Sequence, residues 1–250
     1  MSEATLIILL VTVFAGSYLQ AVTGFAMGLL IIAVMSAFSL MDIVPLTALV
    51  SLLSLVNVLL ALIGQRHLVR GRFVLILALG QLPAIVLGVA LLEYLNSQAE
   101  LVLRLLLGLF IVAGSLSMLI QPKLRSQPSA KVSWLVAGFS GGLIGGMFSA
   151  SAPVLGWFIY RQPFPVAVIR NTLLSTFAVT TFSRTIVVAA NGELTSLVWQ
   201  LFVYGLPVVA LGTLIGRRFP PNISDAAMRR FAFSLMLTLG VSILISVGFS

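Results

Sequence analysis

A glycine-rich stretch with polar residues interrupts the apolar segment 132–160, and it reads Gly138-Phe139-Ser140-Gly141-Gly142-Leu143-Ile144-Gly145-Gly146-Met147-Phe148-Ser149-Ala150-Ser151-Ala152-Pro153. The apolar segment 4–38 is interrupted in the same way by Gly16-Ser17-Tyr18-Leu19-Gln20-Ala21-Val22-Thr23-Gly24. Both segments are longer than the roughly 20 residues that span a bilayer core. Irregular backbone at membrane depth is tolerated only where it is buried in protein or lines a cavity. The two interruptions therefore predict two broken or re-entrant helices.

The composition of the chain is that of an integral membrane protein. Of its 250 residues, 60% are apolar and only 8% are charged, and the mean hydropathy is +1.18. A soluble domain carries about 25% charged residues. A soluble enzyme, a secreted domain and a disordered chain are therefore excluded.

The residues that enzymes and metal sites need are scarce. The chain has no cysteine, one histidine (His67) and no close pair of carboxylates in the sequence, so we predict no metal site and no cofactor. The segment 138–142 matches the G-x-S-x-G pattern of serine hydrolases, but such a serine needs a base within hydrogen-bond reach. His67 lies in a basic loop, so we predict that the protein is not an enzyme.

The distribution of charges distinguishes between two topologies. Six further apolar segments have ordinary spanning length, and they are 43–63, 73–92, 101–120, 166–190, 197–216 and 227–248. If all eight segments cross, the basic residues are split between the two sides. If the two interrupted segments are hairpins, twelve basic residues share one side: Arg66, Arg70, Arg72, Lys123, Arg125, Lys131, Arg161, Arg170, Arg217, Arg218, Arg229 and Arg230.

The hairpin topology also separates the acidic residues. Glu3, Asp42, Glu93, Glu100 and Glu193 then take the opposite side, and only Asp225 joins the basic one. The positive-inside rule places the basic side in the cytoplasm, so we expect both termini outside the cytoplasm. A variant in which each interrupted segment crosses twice as two short helices gives the same distribution and stays open.

The chain contains an internal duplication. The halves share dipeptides at matching positions, namely Ala15-Gly16 and Ala137-Gly138, Leu82-Pro83 and Leu206-Pro207, and Leu87-Gly88 and Leu211-Gly212. We predict a first membrane repeat at 1–120, a cytoplasmic linker at 121–131 and a second repeat at 132–250. Each repeat has one hairpin and three crossings, and an odd number of crossings inverts the second repeat. The predicted fold is an all-α polytopic membrane protein with two inverted repeats, each with a broken or re-entrant helical hairpin plus three transmembrane helices.

The order of elements resembles the sulfite exporter TauE/SafE family, also called the 4-toluene sulfonate uptake permease family. The resemblance covers nearly the whole chain and is carried by Gly141-Gly142-Leu143-Ile144-Gly145-Gly146, Pro153 and Arg170-Asn171-Thr172. It implies a permease of the bacterial inner membrane with duplicated halves, which moves small sulfur oxyanions or organosulfonates. The run 20–28 is poorer in glycine than the first run of the family, which leaves the exact substrate open.

The two interruptions are also the candidate anion site. A broken helix exposes N–H groups, and its second leg begins with the positive end of a helix dipole. Hydroxyl and amide groups add donors for an oxyanion, and glycines allow close approach of the backbone. The predicted substrate-binding residues are Gln20, Thr23, Gly24, Phe25, Gly145, Gly146, Ser149, Ser151, Asn171, Thr172 and Arg184. The alternative for the glycines is helix packing, because many have GxxxG spacing.

Arg184 lies inside a predicted span, where no acidic residue is available to pair with it. An anionic substrate or backbone carbonyls would serve as its partner, and the alternative is snorkelling to the membrane interface. All six acids lie near the ends of spans, which disfavours a proton relay within the membrane. The coupling ion, the direction of transport and the oligomeric state are left open, with a homodimer as one option.

The predicted function is secondary transport of a small anion bound between the two helix breaks and moved by alternating access. The resemblance specifies a sulfur oxyanion or organosulfonate, such as sulfite or sulfoacetate. An anion channel and a non-transporting membrane scaffold are the alternatives. The expected partners are the anion and the lipid bilayer, without nucleic acid, because the basic residues lie in short loops between spans.

Overall fold

A computed structural model describes residues 2–120, 123–220 and 225–248. Gln121 and Pro122 of the predicted linker, and residues 249–250 of the second predicted repeat, lie outside the described residues. So do the side chains of Arg66, Asp225 and Arg229, whose sidedness was predicted. The described residues form ten α-helices and one 3₁₀ turn, Arg66–Leu68, with no β-strand among them.

The ten helices follow the predicted order of segments. They are α1 (Glu3–Thr23), α2 (Met27–Ala37), α3 (Ile43–Leu62), α4 (Gly71–Gln98), α5 (Glu100–Leu119), α6 (Lys131–Phe148), α7 (Ala152–Tyr160), α8 (Val166–Ala190), α9 (Ser196–Arg218) and α10 (Asp225–Gly248). The predicted all-helical class is confirmed for the described residues, and both interrupted segments are split into two helices.

Seven of the described helices are long and apolar enough to cross a membrane. They are α1, α3, α4, α5, α8, α9 and the part of α10 from Arg230 to Gly248. The protein is therefore a membrane protein that crosses the bilayer several times. The first predicted hairpin is unequal, because its break comes late: α1 has 21 residues and α2 has only 11.

The chain reverses between α6 and α7. The segments before α6 and after α7 lie side by side, since Ser129 N donates to Gln162 Oε1 at 3.0 Å and Gln162 Nε2 donates to Ser129 Oγ at 3.0 Å. Arg125 N also donates to Arg161 O at 2.8 Å. The second hairpin thus starts and ends at the same end of the molecule.

A second reversal lies between α1 and α2. The Cα of Met27, the first residue of α2, is 3.2 Å from where a Cβ on Gly16 would be. Gly16 precedes the end of α1 by about two turns, so α2 folds back along α1. Gly16 therefore serves this contact inside a continuous helix, and the break itself lies further along the predicted stretch, at residues 24–26.

Glycines bring two pairs of parallel helices into backbone contact. A Cβ on Gly80 of α4 would lie 2.3 Å from Leu135 O of α6, and one on Gly88 would lie 2.3 Å from Leu143 O. In the pair of α1 and α9, a Cβ on Gly212 would lie 2.8 Å from Phe14 O. Any larger side chain at these glycines would force the helices apart.

Two buried amide side chains join neighbouring helices. Asn57 of α3 donates to Thr213 Oγ1 of α9 at 2.7 Å and to Ser17 O of α1 at 3.1 Å. Gln81 of α4 donates to Thr180 Oγ1 of α8, also at 2.7 Å. Hydrogen bonds of this kind stabilise helix packing where water is absent.

Candidate anion site between the helix breaks

The first break spans Gly24, Phe25 and Ala26 and depends on two residues with positive φ. Gly24 has φ +86° and Ala26 has φ 106°. Such a conformation suits glycine and strains alanine, so the surrounding packing must hold Ala26 in place. Gln20 supports the turn, because its Oε1 accepts a hydrogen bond of 3.1 Å from Met27 N at the start of α2.

The second break spans Ser149, Ala150 and Ser151. Ser149 adopts φ 53°, which ends α6 in the left-handed region. Its hydroxyl lies 3.0 Å from the hydroxyl of Ser51 on α3. Ser151 then precedes the first turn of α7, where Pro153 fits because its missing N–H is not needed there.

The two breaks meet in the interior of the protein. Gly28 of α2 touches the second break so closely that a Cβ on it would lie 2.7 Å from Ser149 O. A narrow cavity between them has about 20 Å³ of free space, which suffices for roughly one water molecule. Its wall consists of Gln20, Ala26, Gly28, Leu29, Ser54, Ser149, Ala150, Ser151, Ala152, Phe177, Thr180 and Thr181.

Three donors on this wall have no acceptor among the described residues. They are the side-chain nitrogen Nε2 of Gln20 and the hydroxyls of Ser54 and Ser151, and each of these three residues is 4% exposed. Buried donors without acceptors are costly, so a site that leaves several facing one cavity is suited to an oxyanion or water.

Arg184 of α8 is completely buried beside the cavity. Its Nε donates to Gly146 O at 2.7 Å, its Nη1 to Thr47 O at 2.8 Å and to Ser51 Oγ at 2.6 Å, and its Nη2 to Thr47 Oγ1 at 2.9 Å. All these acceptors are uncharged, and none of the ion pairs in the described part of the chain includes Arg184. Because the side chain is 0% exposed, the snorkelling alternative is excluded.

Ser51 connects the arginine to the cavity. Its Oγ accepts from Arg184 at 2.6 Å and lies 3.0 Å from Ser149 Oγ, which belongs to the cavity wall. A positive charge in a low-dielectric interior acts over a longer range than one in water. The site therefore combines neutral donors at the wall with one buried cation behind them.

The other predicted residues occupy different places. Thr23 ends α1 directly before the first break and Phe25 lies within the break, but the Thr23 hydroxyl donates to Leu19 O and Phe25 O, and the Phe25 ring stacks on Phe233. The remaining predictions have packing or helix contacts. Gly24 touches Arg170, Gly145 touches Thr180, Gly146 touches Ile85, Asn171 donates to Ala167 O, and Thr172 Oγ1 accepts from Arg70 N.

One of these residues, Thr23, belongs to the wall of a separate cavity of about 240 Å³. Val22, Thr23, Tyr160, Val166, Ala167, Arg170 and Pro220 line it. Tyr160 donates to Thr23 O at 3.1 Å, and Arg170 Nη2 donates to Ala21 O near the end of α1. Of the predicted residues, Gln20, Ser149 and Ser151 therefore line the cavity between the breaks, and Thr23 lines the separate cavity.

Comparison with known proteins identifies the family of this chain. The profile "Sulfite exporter TauE/SafE" matches residues 8–243. The chain belongs to the sulfite exporter TauE/SafE family. A relative from Cupriavidus necator (strain ATCC 17699), named "Probable sulfite/organosulfonate exporter TauE", is 40% identical over 231 residues, which cover 92% of this chain and 90% of the relative. No solved structure matches significantly.

This membership confirms the resemblance inferred from the glycine-rich run and from Arg170-Asn171-Thr172. It also makes the protein a membrane transporter by family, in agreement with the seven helices in the described part of the chain that are long and apolar enough to cross a membrane. The prediction that the chain is not an enzyme agrees with the family as well.

The hydroxyl groups of α3 that bond to Arg184 or line the cavity in this TauE/SafE protein were not predicted from the sequence. Thr47, Ser51 and Ser54 lie on α3 at spacings that place them on one helix face, and all three are buried. Their regular spacing in a mainly apolar span indicates a stripe of polar side chains along one face of α3. It was not distinctive, because serine and threonine in membrane helices commonly bond to their own backbone.

Proposed function

We propose that this TauE/SafE protein is a secondary transporter of small sulfur anions, such as sulfite, other sulfur oxyanions or organosulfonates. The anion would bind in the cavity between the two helix breaks. The observation that carries the proposal is the buried cation Arg184, which has no carboxylate partner among the described residues and connects through Ser51 to the cavity wall. The printed name of the Cupriavidus relative supports the same chemical class.

The donors around the cavity suit a pyramidal SO₃ group. Gln20 Nε2 and the hydroxyls of Ser54 and Ser151 have no acceptor in the described chain, and each can donate to one anion oxygen. The start of α7 at Ala152 adds N–H groups and the positive end of a helix dipole. No carboxylate lines this cavity, so its wall has no negatively charged side chain to repel an anion.

We further propose that transport proceeds by alternating access between two inverted repeats. Helix packing supports this, because exchanging α1–α5 with α6–α10 maps the α1–α9 contact onto the α6–α4 contact. The same exchange maps the Asn57–Thr213 bond between α3 and α9 onto the pair of α8 and α4, where Gln81 donates to Thr180. The small free volume of the cavity means that the repeats must move apart to admit an anion.

The proposed location is the bacterial inner membrane, with the basic loops in the cytoplasm. Arg125 and Arg161 lie together at the open end of the second hairpin, and Arg217 caps the end of α3 by donating to Leu60 O and Ile63 O. These positions support a single cytoplasmic face for the basic residues and termini on the other side.

The decisive experiment is uptake of labelled sulfite, thiosulfate, taurine and sulfoacetate into proteoliposomes, with and without a preloaded anion. Saturable uptake that a preloaded anion accelerates is expected for a carrier. Conductance without such counterflow would indicate the channel, and folded protein that moves none of these anions would favour the scaffold.

A charge-reversing variant tests the position of the site. Gln20→Glu keeps the acceptor for Met27 N but replaces the free donor by a negative charge inside the cavity, so anion uptake should be lost while the protein still folds. Gln98→Glu makes the same change at an exposed position at the end of α4 and should transport normally. Normal uptake by Gln20→Glu would place the anion elsewhere.

A further inference from the structure

The separate cavity of about 240 Å³ beside Arg170, which we call the Arg170 cavity, reaches the surface at one end and is buried at the other. Val166 and Pro220 at its rim are exposed, whereas Thr23 at its inner end is buried. Val166 begins α8, and Pro220 follows the last turn of α9, which is basic. The cavity therefore leads from the end of the molecule with the basic loops to the first break.

Arg170 gives this cavity a positive charge. The described part of the cavity wall contains no acidic side chain. Arg170 Nη2 donates to Ala21 O, a carbonyl group in the last turn of α1, and a Cβ on Gly24 would lie 2.8 Å from Arg170 Cγ. The arginine is thus held against the first break. Arg184 donates in the same way to the last turn of α6, so α8 places one arginine at the end of each broken helix.

The Arg170 cavity and the cavity between the breaks follow one another along the same two helices. On α1, Thr23 lines the Arg170 cavity, and Gln20, about one turn away, lines the cavity between the breaks. On α8, Arg170 lines the first of these cavities and Phe177 the second. Two helical turns separate these two residues, so the cavities are about 10 Å apart along α8.

The first break separates the two cavities. Phe25 within the break is completely buried, and its ring lies edge-on to the ring of Tyr160 in the wall of the Arg170 cavity, with the centroids 5.9 Å apart. Its neighbour Ala26 lines the cavity between the breaks. Tyr160 also donates to Thr23 O at 3.1 Å, which holds the end of α1 against α7. Movement of this one segment would therefore connect the cavities.

We propose that the Arg170 cavity is a second anion site, where a small sulfonate or sulfur oxyanion from the basic side binds before it reaches the cavity between the breaks. This inference rests on the proposed function. The Arg170 cavity has room for such an anion, whereas the free space of about 20 Å³ between the breaks suffices for roughly one water molecule. A positive charge in a partly enclosed cleft also raises the local concentration of anions.

A single cysteine can report on this cavity, because the natural chain has none. Ala167→Cys, at an exposed position on the cavity wall, is treated with a sulfonate-bearing methanethiosulfonate reagent and with its trimethylammonium counterpart. After each rate is divided by that of a small free thiol, the anionic reagent should react at least about tenfold faster. Methanesulfonate, a sulfonate that does not react with thiols, should slow this reaction in a saturable manner.

Ser126→Cys is the control for protection, because this exposed position before α6 lies outside the cavity wall. Methanesulfonate should not slow its reaction. Saturable protection of Ser126→Cys equal to that of Ala167→Cys would overturn a specific site in the Arg170 cavity.

Two substitutions of Arg170 in the Ala167→Cys protein test the source of the preference. Arg170→Gln removes the charge and should abolish the preference for the anionic reagent, whereas Arg170→Lys keeps the charge and should retain it. A preference that survives Arg170→Gln, or one that Arg170→Lys loses with an unchanged Tm, would overturn the role of Arg170. Protection by methanesulfonate requires no change at Arg170, so it decides the anion site even if Arg170→Gln does not fold.

Uptake of labelled methanesulfonate into proteoliposomes, measured in parallel, distinguishes this inference from the proposed function. Equal normalised rates for the two reagents and no protection, in a protein that takes up the anion, would overturn the second site and leave the transport proposal intact. Protection of Ala167→Cys in a protein that transports no anion would overturn the proposed function, and with it the role of the Arg170 cavity in transport.

Discussion

Arg184 Nε donates a hydrogen bond of 2.7 Å to Gly146 O, one of the last carbonyl groups of α6. The carbonyls at the end of a helix lack partners within the helix, and they carry the negative end of its dipole. An arginine on α8 thus holds the second hairpin at the point where its chain reverses. The same guanidinium binds Thr47 and Ser51 of α3, so one side chain connects three helices around the cavity.

Two substitutions of Arg184 distinguish the contribution of its positive charge from that of its hydrogen bonds. Arg184→Met removes both and should abolish anion uptake and lower the Tm, because it leaves the buried acceptor Gly146 O unsatisfied, at a cost of about 1–3 kcal/mol. Arg184→Lys keeps the charge but cannot form the planar set of bonds, so uptake should fall roughly tenfold.

The matched control is Arg104→Met. Arg104 is 42% exposed and pairs with Glu100 one turn away, so its loss should change stability by less than about 1 kcal/mol. Thermal unfolding in detergent and uptake of labelled sulfite are the measurements. Normal uptake and Tm in Arg184→Met would contradict both roles of this residue.

Removing a free donor should weaken anion binding without weakening the fold. Ser151→Ala and Ser54→Ala each delete a hydroxyl that has no acceptor in the described chain. A hydrogen bond to a charged group contributes about 1.5–3 kcal/mol, so the KM for the anion should rise at least about tenfold. The Tm should be unchanged within about 1 °C, because no bond within the protein is lost.

Ser242→Ala is the control for these serines, because its hydroxyl bonds only to Leu239 O of its own exposed helix face. Its KM and Tm should match those of the wild type. Serine variants of the cavity that lower the Tm and leave KM unchanged would show that the hydroxyls act in packing.

The sequence predicted the two breaks because glycine and polar residues are conspicuous in an apolar chain. It placed the first break too broadly, since Gly16 lies within α1 and the turn occurs at Gly24 and Ala26. It could not predict that Ser51 connects Arg184 to Ser149, because this contact joins α3, α8 and the second break. Contacts between distant segments depend on how helices pack, and composition and periodicity do not specify that packing.

Replacing a glycine at the contact between α4 and α6 by alanine should destabilise the protein. In Gly146→Ala, the new Cβ would lie 2.4 Å from Ile85 O of α4, so the helices would have to separate. Overpacking of this kind costs about 1–3 kcal/mol or more. The Tm should therefore fall, and the yield of monodisperse protein with it.

Gly71→Ala provides the comparison, because nothing lies within 4 Å of the Cβ it would add at the start of α4. This change should leave the Tm equal or slightly higher, since alanine favours helix by up to about 1 kcal/mol. Equal Tm values for Gly146→Ala and Gly71→Ala would mean that α4 and α6 do not pack as closely as described.

Single cysteines can establish the sidedness of the second hairpin, because the natural chain has none. Ser126→Cys before α6 and Val166→Cys after α7 are both exposed positions. If the hairpin enters and leaves on one side, a membrane-impermeant maleimide should label both from the same side. Ser97→Cys, exposed at the far end of α4, should react only from the opposite side.

The positive-inside rule makes the shared side of Ser126→Cys and Val166→Cys the cytoplasmic one, so intact cells should label only Ser97→Cys. Permeabilised cells should label all three, which verifies that each thiol is reactive. Labelling of Val166→Cys together with Ser97→Cys in intact cells would mean that α6 and α7 jointly cross the membrane. In that case α8 would run in the opposite direction, and the proposed relation between the two repeats would be wrong.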